Sequence, residues 1–167
     1  IQKSRIRLDD LVYDVCDRYN TIAKEHGLVL EVLTDFSECP VVYANADRVE
    51  QMLIILLDNA IKYTEQGSVS VLATWDDEKV VLSVRDTGEG IADEDLPYVF
   101  DRFYKEDKSR GLNTTGSGLG LHICKVLINL SGGKIWVDSK EGEYCEFLFT
   151  LPAPPSSPIK GGKLKDQ

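Results

Sequence analysis

Val69, Val71, Ala73 and Trp75 recur at every second position, as do Val80, Leu82 and Val84, with Asp76-Asp77-Glu78-Lys79 between the two runs. A period of two on both sides of a polar break constrains the chain to an antiparallel hairpin with one buried face. The same parity, carried two residues past Val84, puts Asp86 on that face. A carboxylate there costs free energy unless a hydrogen-bond donor meets it. Two donors fit. The Gly-rich run Asp86-Thr87-Gly88-Glu89-Gly90-Ile91 can supply a local turn hydrogen bond. A bound base can instead supply an exocyclic amine, with Gly88 and Gly90 letting a planar group approach the backbone.

Helical spacing organises most of the rest. Leu8, Leu11, Val12, Val15, Tyr19, Ile22 and Ala23 predict an amphipathic helix over 9–26, ended by Gly27. Residues 28–34 read as a strand, 36–40 as a turn and 41–44 as a short second strand. Asp47 opens a helix to about Thr64, with Val49, Met52, Leu53, Leu56 and Ala60 on its apolar stripe. Residues 93–103 predict a short acidic helix and an aromatic-rich segment, and 104–115, polar and aperiodic, a loop long enough to be functional. A further helix opens within 116–121, is apolar at Leu121, Cys124, Leu127 and Ile128, and closes at Gly132-Gly133. Residues 134–139 and 146–151 predict a second hairpin. This order predicts an α+β fold, a two-layer sandwich with helices on one face of a mixed, mostly antiparallel sheet.

The chain's 167 residues, 43% hydrophobic and 28% charged, suit one globular domain that folds without staples. A net charge of −9 argues against a general nucleic-acid binder and against contact with anionic membranes, so a polyanionic ligand would be held locally. Cys16, Cys39, Cys124 and Cys145 lie far apart without C-x-x-C spacing and read as buried or idle thiols in a reducing compartment. The longest apolar run, 52–57, falls far short of the ~20 residues of a membrane span, and no signal-peptide pattern precedes it. A cytoplasmic location is the expectation, and a start at Ile1 reads as a processed or excised piece of a longer protein.

Asn59, Lys62 and Tyr63 share one helix face through their i, i+3, i+4 spacing. An amide oxygen can ligate Mg²⁺ and a lysine can meet phosphate. The competing reading is a solvated helix end, but Asn59 sits deep in an otherwise apolar helix, where an amide is expensive unless something binds it. Gly116-Ser117-Gly118-Leu119-Gly120-Leu121 leads into a helix whose exposed N–H groups favour phosphate. It is no dinucleotide fingerprint, because Asn113-Thr114-Thr115 is not an apolar strand, and no Walker loop, because Ile135 follows Gly133-Lys134 and Ile128 stands where a glycine is needed.

Taken together, four runs in fitting order resemble the sensor histidine kinase family. Asp47-Arg48-Val49-Glu50-Gln51 through Asp58-Asn59-Ala60-Ile61-Lys62-Tyr63-Thr64 resembles its N box, and the run from Asp86 to Ile91 its G1 box. Phe100-Asp101-Arg102-Phe103-Tyr104 resembles its F box, and the run from Gly116 to Leu121 its G2 box. The resemblance implies the ATP-binding catalytic domain, in the Bergerat fold shared with gyrase-like and chaperone ATPases. It implies ATP and Mg²⁺ as ligands, with the γ-phosphoryl group donated to a histidine on a separate dimerisation domain and a response regulator downstream. A nucleotide-binding switch or scaffold without transfer is the alternative.

By motif, Asn59 is implied to ligate Mg²⁺, Lys62 to meet phosphate and Tyr63 to flank the nucleotide. Asp86 is implied to accept the adenine amino group, with Gly88, Gly90 and Ile91 shaping the base pocket. Tyr104 and Lys105 would approach from a lid, Arg102 would meet the transferring phosphate, and Gly116, Ser117, Gly118, Leu119, Gly120 and Leu121 would form the phosphate turn. Three departures stand out: Ile55 where the family often has a second asparagine, and Tyr144 and Cys145 where the last hairpin usually has a small pair. The acceptor histidine is not in this stretch. His26 reads as a helix cap and His122 as a packed helix residue. The resulting division is a linker over 1–7 from an upstream helical domain, the catalytic domain over 8–152 and a flexible tail over 153–167, monomeric in isolation.

Overall fold

The computed structural model describes residues 2–104 and 118–155. Within these, α1 (Leu8–Glu25), α2 (Ala46–Lys62) and α3 (Gly120–Leu130) cover one face of a five-stranded sheet. Its strands are β2 (Leu28–Val32), β4 (Gly67–Trp75), β5 (Lys79–Asp86), β6 (Ile135–Lys140) and β7 (Tyr144–Pro152), in the spatial order β2-β4-β5-β7-β6. Only β2 and β4 pair in parallel, since α2 lies in the crossover between them; the other neighbours are antiparallel. The expected α+β sandwich with a mixed, mostly antiparallel sheet is therefore the observed fold.

Parity acts across the whole sheet. Val71 pairs with Val84 and Val84 with Phe147, while Ala73 pairs with Leu82 and Leu82 with Phe149. All of these are buried, and α2 supplies Leu53, Leu56 and Leu57 from the facing layer. Asp86 is buried in the same row, opposite Val69 on one side and Cys145 on the other. The turn at 76–79 is closed by Asp76, whose Oδ1 accepts from the N–H groups of Glu78 and Lys79 at 2.8 and 3.0 Å.

Several boundaries differ from the sequence reading, each for a local reason. Residues 1–7, expected as a linker, contain β1 (Ser4–Ile6), which pairs antiparallel with β3 (Val42–Ala44) as a separate two-stranded sheet. A three-residue strand is too short to announce itself by periodicity. α2 starts at Ala46 because Asn45 caps it: Asn45 Oδ1 accepts from the Arg48 N–H at 3.0 Å, and Nδ2 donates to the Gln2 carbonyl at 2.8 Å. β2 stops at Val32, but Thr34 Oγ1 still takes the Ala73 N–H at 2.8 Å, substituting a side chain for the backbone pairing.

The acidic helix expected over 93–103 is only a 3-10 turn at Leu96–Tyr98, which has Pro97 in its first turn and no fully buried residue. β6 and β7 form the second hairpin, and β7 extends through Pro152. Ala153, expected to open the tail, is buried and donates its N–H to the Glu78 carbonyl at 2.8 Å. Much of the expected loop over 104–115 and most of the tail lie outside the described residues.

Candidate functional site

Asn59 and Tyr63 stand at the C-terminal end of α2, where Tyr63 is the cap residue and donates its N–H to the Asn59 carbonyl at 3.2 Å. Their side chains line a cavity of about 40 Å³ together with Asp86 and Gly90–Ile91, Tyr104, Leu121 of α3, and Cys145 and Phe147 of β7. Seven of the sequence candidates therefore converge from five segments spread between positions 59 and 121. Cys145 and Phe147 were missed as site residues. Strand pairing is what delivers them, since Cys145 is the register partner of Asp86 and Phe147 that of Val84.

Asp86 gives this cavity its chemistry. Its carboxylate is only 4% exposed, and Oδ1 accepts from the Gly88 N–H at 2.9 Å, so the local turn bond that the sequence allowed is present. That bond leaves Oδ2 available. Burial pushes the pKa up to about 6, opposed by the Gly88 bond and by the Thr64 hydroxyl alongside. The Thr64 Oγ1 is itself buried and makes no hydrogen bond of good geometry. A carboxylate held in this way is short of donors and suited to a ligand that brings one.

The loop after Asp86 is pinned to the last hairpin. Ile91 donates its N–H to Ser139 Oγ at 2.8 Å, that hydroxyl donates to the Tyr144 carbonyl at 2.9 Å, and Gly142 donates to the Glu89 carbonyl at 2.6 Å. Gly90 has φ +70°, and a Cβ on it would lie 2.5 Å from the Lys140 carbonyl oxygen, so only glycine fits there. At Gly88 a Cβ would fall 2.6 Å from the Tyr63 carbonyl oxygen and 2.8 Å from Asp86 Oδ1. Gly88 therefore does not line the cavity, but it lets the loop pass close under α2.

The hairpin departures are also explained. Cys145, expected to be a buried or idle thiol, is buried and faces the cavity beside Asp86, and Tyr144 points to the opposite face. There its ring lies 4.0 Å from the Arg85 guanidinium carbon and its hydroxyl donates to Asp138 Oδ1 at 3.1 Å. None of the four cysteines forms a disulfide, and burial pushes Cys16 to about 11, Cys39 to about 11 and Cys124 to about 12.

The remaining candidates sit around the rim. Lys62 is exposed, with its Nζ 5.4 Å from the Tyr63 ring centre, and the exposed Arg102 stacks 5.1 Å from the Phe103 ring centre. Phe103 holds φ 64°, a conformation costly for a bulky residue, and donates its N–H to the Gly118 carbonyl at 3.0 Å. Gly118, at φ +78°, has no room for a Cβ against Phe103. This contact brings the F-box run against the described end of the G2 run. Leu119 caps α3 and Gly120 begins it, with the Ile55 side chain packed against Gly120. Lys105, Gly116 and Ser117 lie outside the described residues. His26 is the cap residue of α1, and His122 Nδ1 donates to the Phe100 carbonyl at 3.2 Å.

Comparison with known proteins converges on one family. The sequence model of the family described as "Histidine kinase-, DNA gyrase B-, and HSP90-like ATPase" matches residues 44–155. The chain belongs to that family. Its described residues carry the fold of a histidine kinase ATP-binding domain. Among curated proteins it is similar to the sensor protein SrrB of Staphylococcus aureus, with 44% identity over 109 residues, which are 65% of this chain and 19% of SrrB. The chain thus spans about a fifth of the length of such relatives. Among solved structures it is similar to full-length ShkA in complex with AMPPNP, with TM-score 0.81, 27% identity and coverage of 96% of this chain and 34% of ShkA. The catalytic domain of histidine kinase ThkA gives TM-score 0.75 and 29% identity over 93% of this chain and 100% of ThkA's. Among the described residues no helix is long and apolar enough to cross a membrane.

Proposed function

We propose that this chain binds Mg·ATP in the Asp86 cavity and presents the γ-phosphoryl group to a histidine on a separate dimerisation domain, with a response regulator downstream. The observation that carries the reading is the buried Asp86 carboxylate, bonded through one oxygen to Gly88 and facing the cavity. The adenine amino group would donate to the other oxygen, and the Thr64 hydroxyl beside it offers the base a further polar contact. Ile91, Leu121 and Phe147 supply apolar walls for a flat ring. The cavity, at about 40 Å³, is smaller than the ~150 Å³ that accommodates benzene in an engineered core, so a purine enters only when a lining side chain moves.

The donor set also suits a magnesium ion. No three acidic, histidine or cysteine side chains converge as a metal cage among the described residues, and Mg²⁺ is commonly held by one or two protein oxygens plus phosphates. Asn59 would be that protein oxygen, and the ion would supply charge neutralisation along the triphosphate. Lys62 and Arg102, exposed at the rim, would meet phosphate oxygens. The chain's part is to hold and orient the nucleotide. In the transfer the bond from the bridging oxygen to the γ-phosphorus breaks, an external imidazole nitrogen bonds to that phosphorus, and ADP leaves. Mixing the chain with helical domains that bear candidate histidines and γ-labelled ATP tests this directly. Acid-labile label on histidine is expected. Tight nucleotide binding without label on any partner would favour a switch or scaffold.

A further inference from the structure

A second cavity, of about 220 Å³, opens at the other end of α3 from the Asp86 site, and we propose that it binds a small amphiphile made of an apolar chain ending in a carboxylate. Its apolar walls come from three elements: Val49 and Met52 on α2, Leu127 and Leu130 on α3, and Leu151 at the end of β7. It exceeds the ~150 Å³ that suffices for a benzene-sized guest, so a medium-length alkyl chain has room. Leu130 is 65% exposed at its mouth, an apolar side chain left in water at the entrance.

The polar groups of the lining decide the sign of the ligand. Asn45 is spent as the α2 cap and as a donor to the Gln2 carbonyl, and the Ser131 hydroxyl donates to the Ile128 carbonyl at 2.8 Å. The polar side chains left over are the half-exposed Tyr43 phenol and two cations, Lys3 and Arg48, and neither cation meets a carboxylate among the described residues. Arg7, Arg18, Lys79, Arg85 and Lys140 each have an acidic partner, whereas Lys3 and Arg48, like Arg5, Lys24 and Lys134, have none among the described residues, and of these unpaired cations Lys3 and Arg48 are the two that line the cavity. Both cations are placed by Asn45. Its bond to Gln2 holds the residue before Lys3, and its cap bond fixes the turn that carries Arg48. Two unpaired cations beside an apolar cavity at a helix N-terminus favour an anionic head on an apolar tail.

The test is a titration of the isotope-labelled chain with octanoate, and separately with octanol, followed by backbone amide NMR shifts. Saturable shifts are expected at Lys3, Arg48, Leu127 and Leu130 with octanoate. Binding should be at least tenfold weaker for octanol, for octanoate with Arg48→Gln, and for octanoate with Leu130→Asp, which places a like charge at the exposed mouth. The Arg48 side chain is no part of the α2 cap, so that variant should keep its fold, and unchanged shifts elsewhere verify it. Equal binding of octanol and octanoate, retention by Arg48→Gln, or shifts confined to the Asp86 cavity or failing to saturate would each overturn the proposal.

Discussion

Asp86 carries a charge in a place that resists it. Its folded pKa of about 6 lies above the ordinary 3.8, so the native state binds this proton more tightly than the unfolded chain does. The sign follows. The stabilising contribution is present below about pH 4 and is lost as the pH rises through about 6, and at pH 7 burial of the charge costs about 3 kcal/mol. Asp86→Asn carries no such charge. Urea denaturation of the two proteins should therefore show the variant gaining on wild type by about 1–3 kcal/mol between pH 4.5 and 7.5. A donor brought by a ligand favours the carboxylate, so adenosine, which has no phosphate to titrate, should bind more tightly as the pH rises from 5 to 7. The affinity gain is at most about tenfold per pH unit, and NMR titration should find it absent in Asp86→Asn. At this scale the sequence was readable for Asp86, because a two-residue period determines which way a strand residue faces. It was not readable for Cys145 and Phe147. They reach the cavity through the pairing of β5 with β7, and nothing local to either residue encodes which strands become neighbours.

Among elements, the last hairpin acts as a brace for the loop that follows Asp86. Two hydrogen bonds and a close backbone approach hold Glu89, Gly90 and Ile91 against β6 and the turn before β7, and a third bond, from Ser139 to the Tyr144 carbonyl, fixes the hydroxyl that receives Ile91. Gly90 and Gly142 make the comparison that tests the brace. Both have positive φ, at +70° and +84°, but a Cβ on Gly142 meets nothing within 4 Å while one on Gly90 strikes the Lys140 carbonyl. Gly142→Ala should cost about 1–2 kcal/mol from its backbone conformation alone. Gly90→Ala should cost more, by about 1–3 kcal/mol, and weaken nucleotide binding as well, measured by thermal melting and calorimetry. Long elements with strong periodicity, α1, α2, β4 and β5, were legible from their side-chain patterns. β1 was not, because three residues offer too few repeats, and neither was the collapse of the acidic helix to a 3-10 turn, where Pro97 and the lack of an apolar stripe prevail.

For the whole molecule, the matching family description covers both ATPases and histidine kinases, and on the proposed reading Ile55 bears on which of the two this chain resembles in activity. Hydrolysis requires a group that orients or deprotonates water in line with the γ-phosphate. Ile55 lies one turn before Asn59 on α2 and packs on Gly120, offering only methyl groups. The isolated chain at saturating Mg·ATP should therefore release phosphate far more slowly than about one per second, the low end for working enzymes, and should carry no acid-labile label of its own. The half-buried His122 is engaged with the Phe100 carbonyl, and His26, exposed at the end of α1, with the Ile22 carbonyl. The central claim is that the Asp86 cavity reads adenine. Calorimetric titration of Mg·ATP and Mg·GTP into wild type and Asp86→Asn tests it most directly, because guanine presents a carbonyl oxygen where adenine presents its amino group. A hydrogen bond to a charged group is worth about 1.5–3 kcal/mol, so the account predicts ATP binding to wild type with GTP at least tenfold weaker, and a roughly ten- to hundredfold loss of ATP affinity in the variant. GTP binding as tightly as ATP, or ATP affinity unchanged in Asp86→Asn, would contradict it.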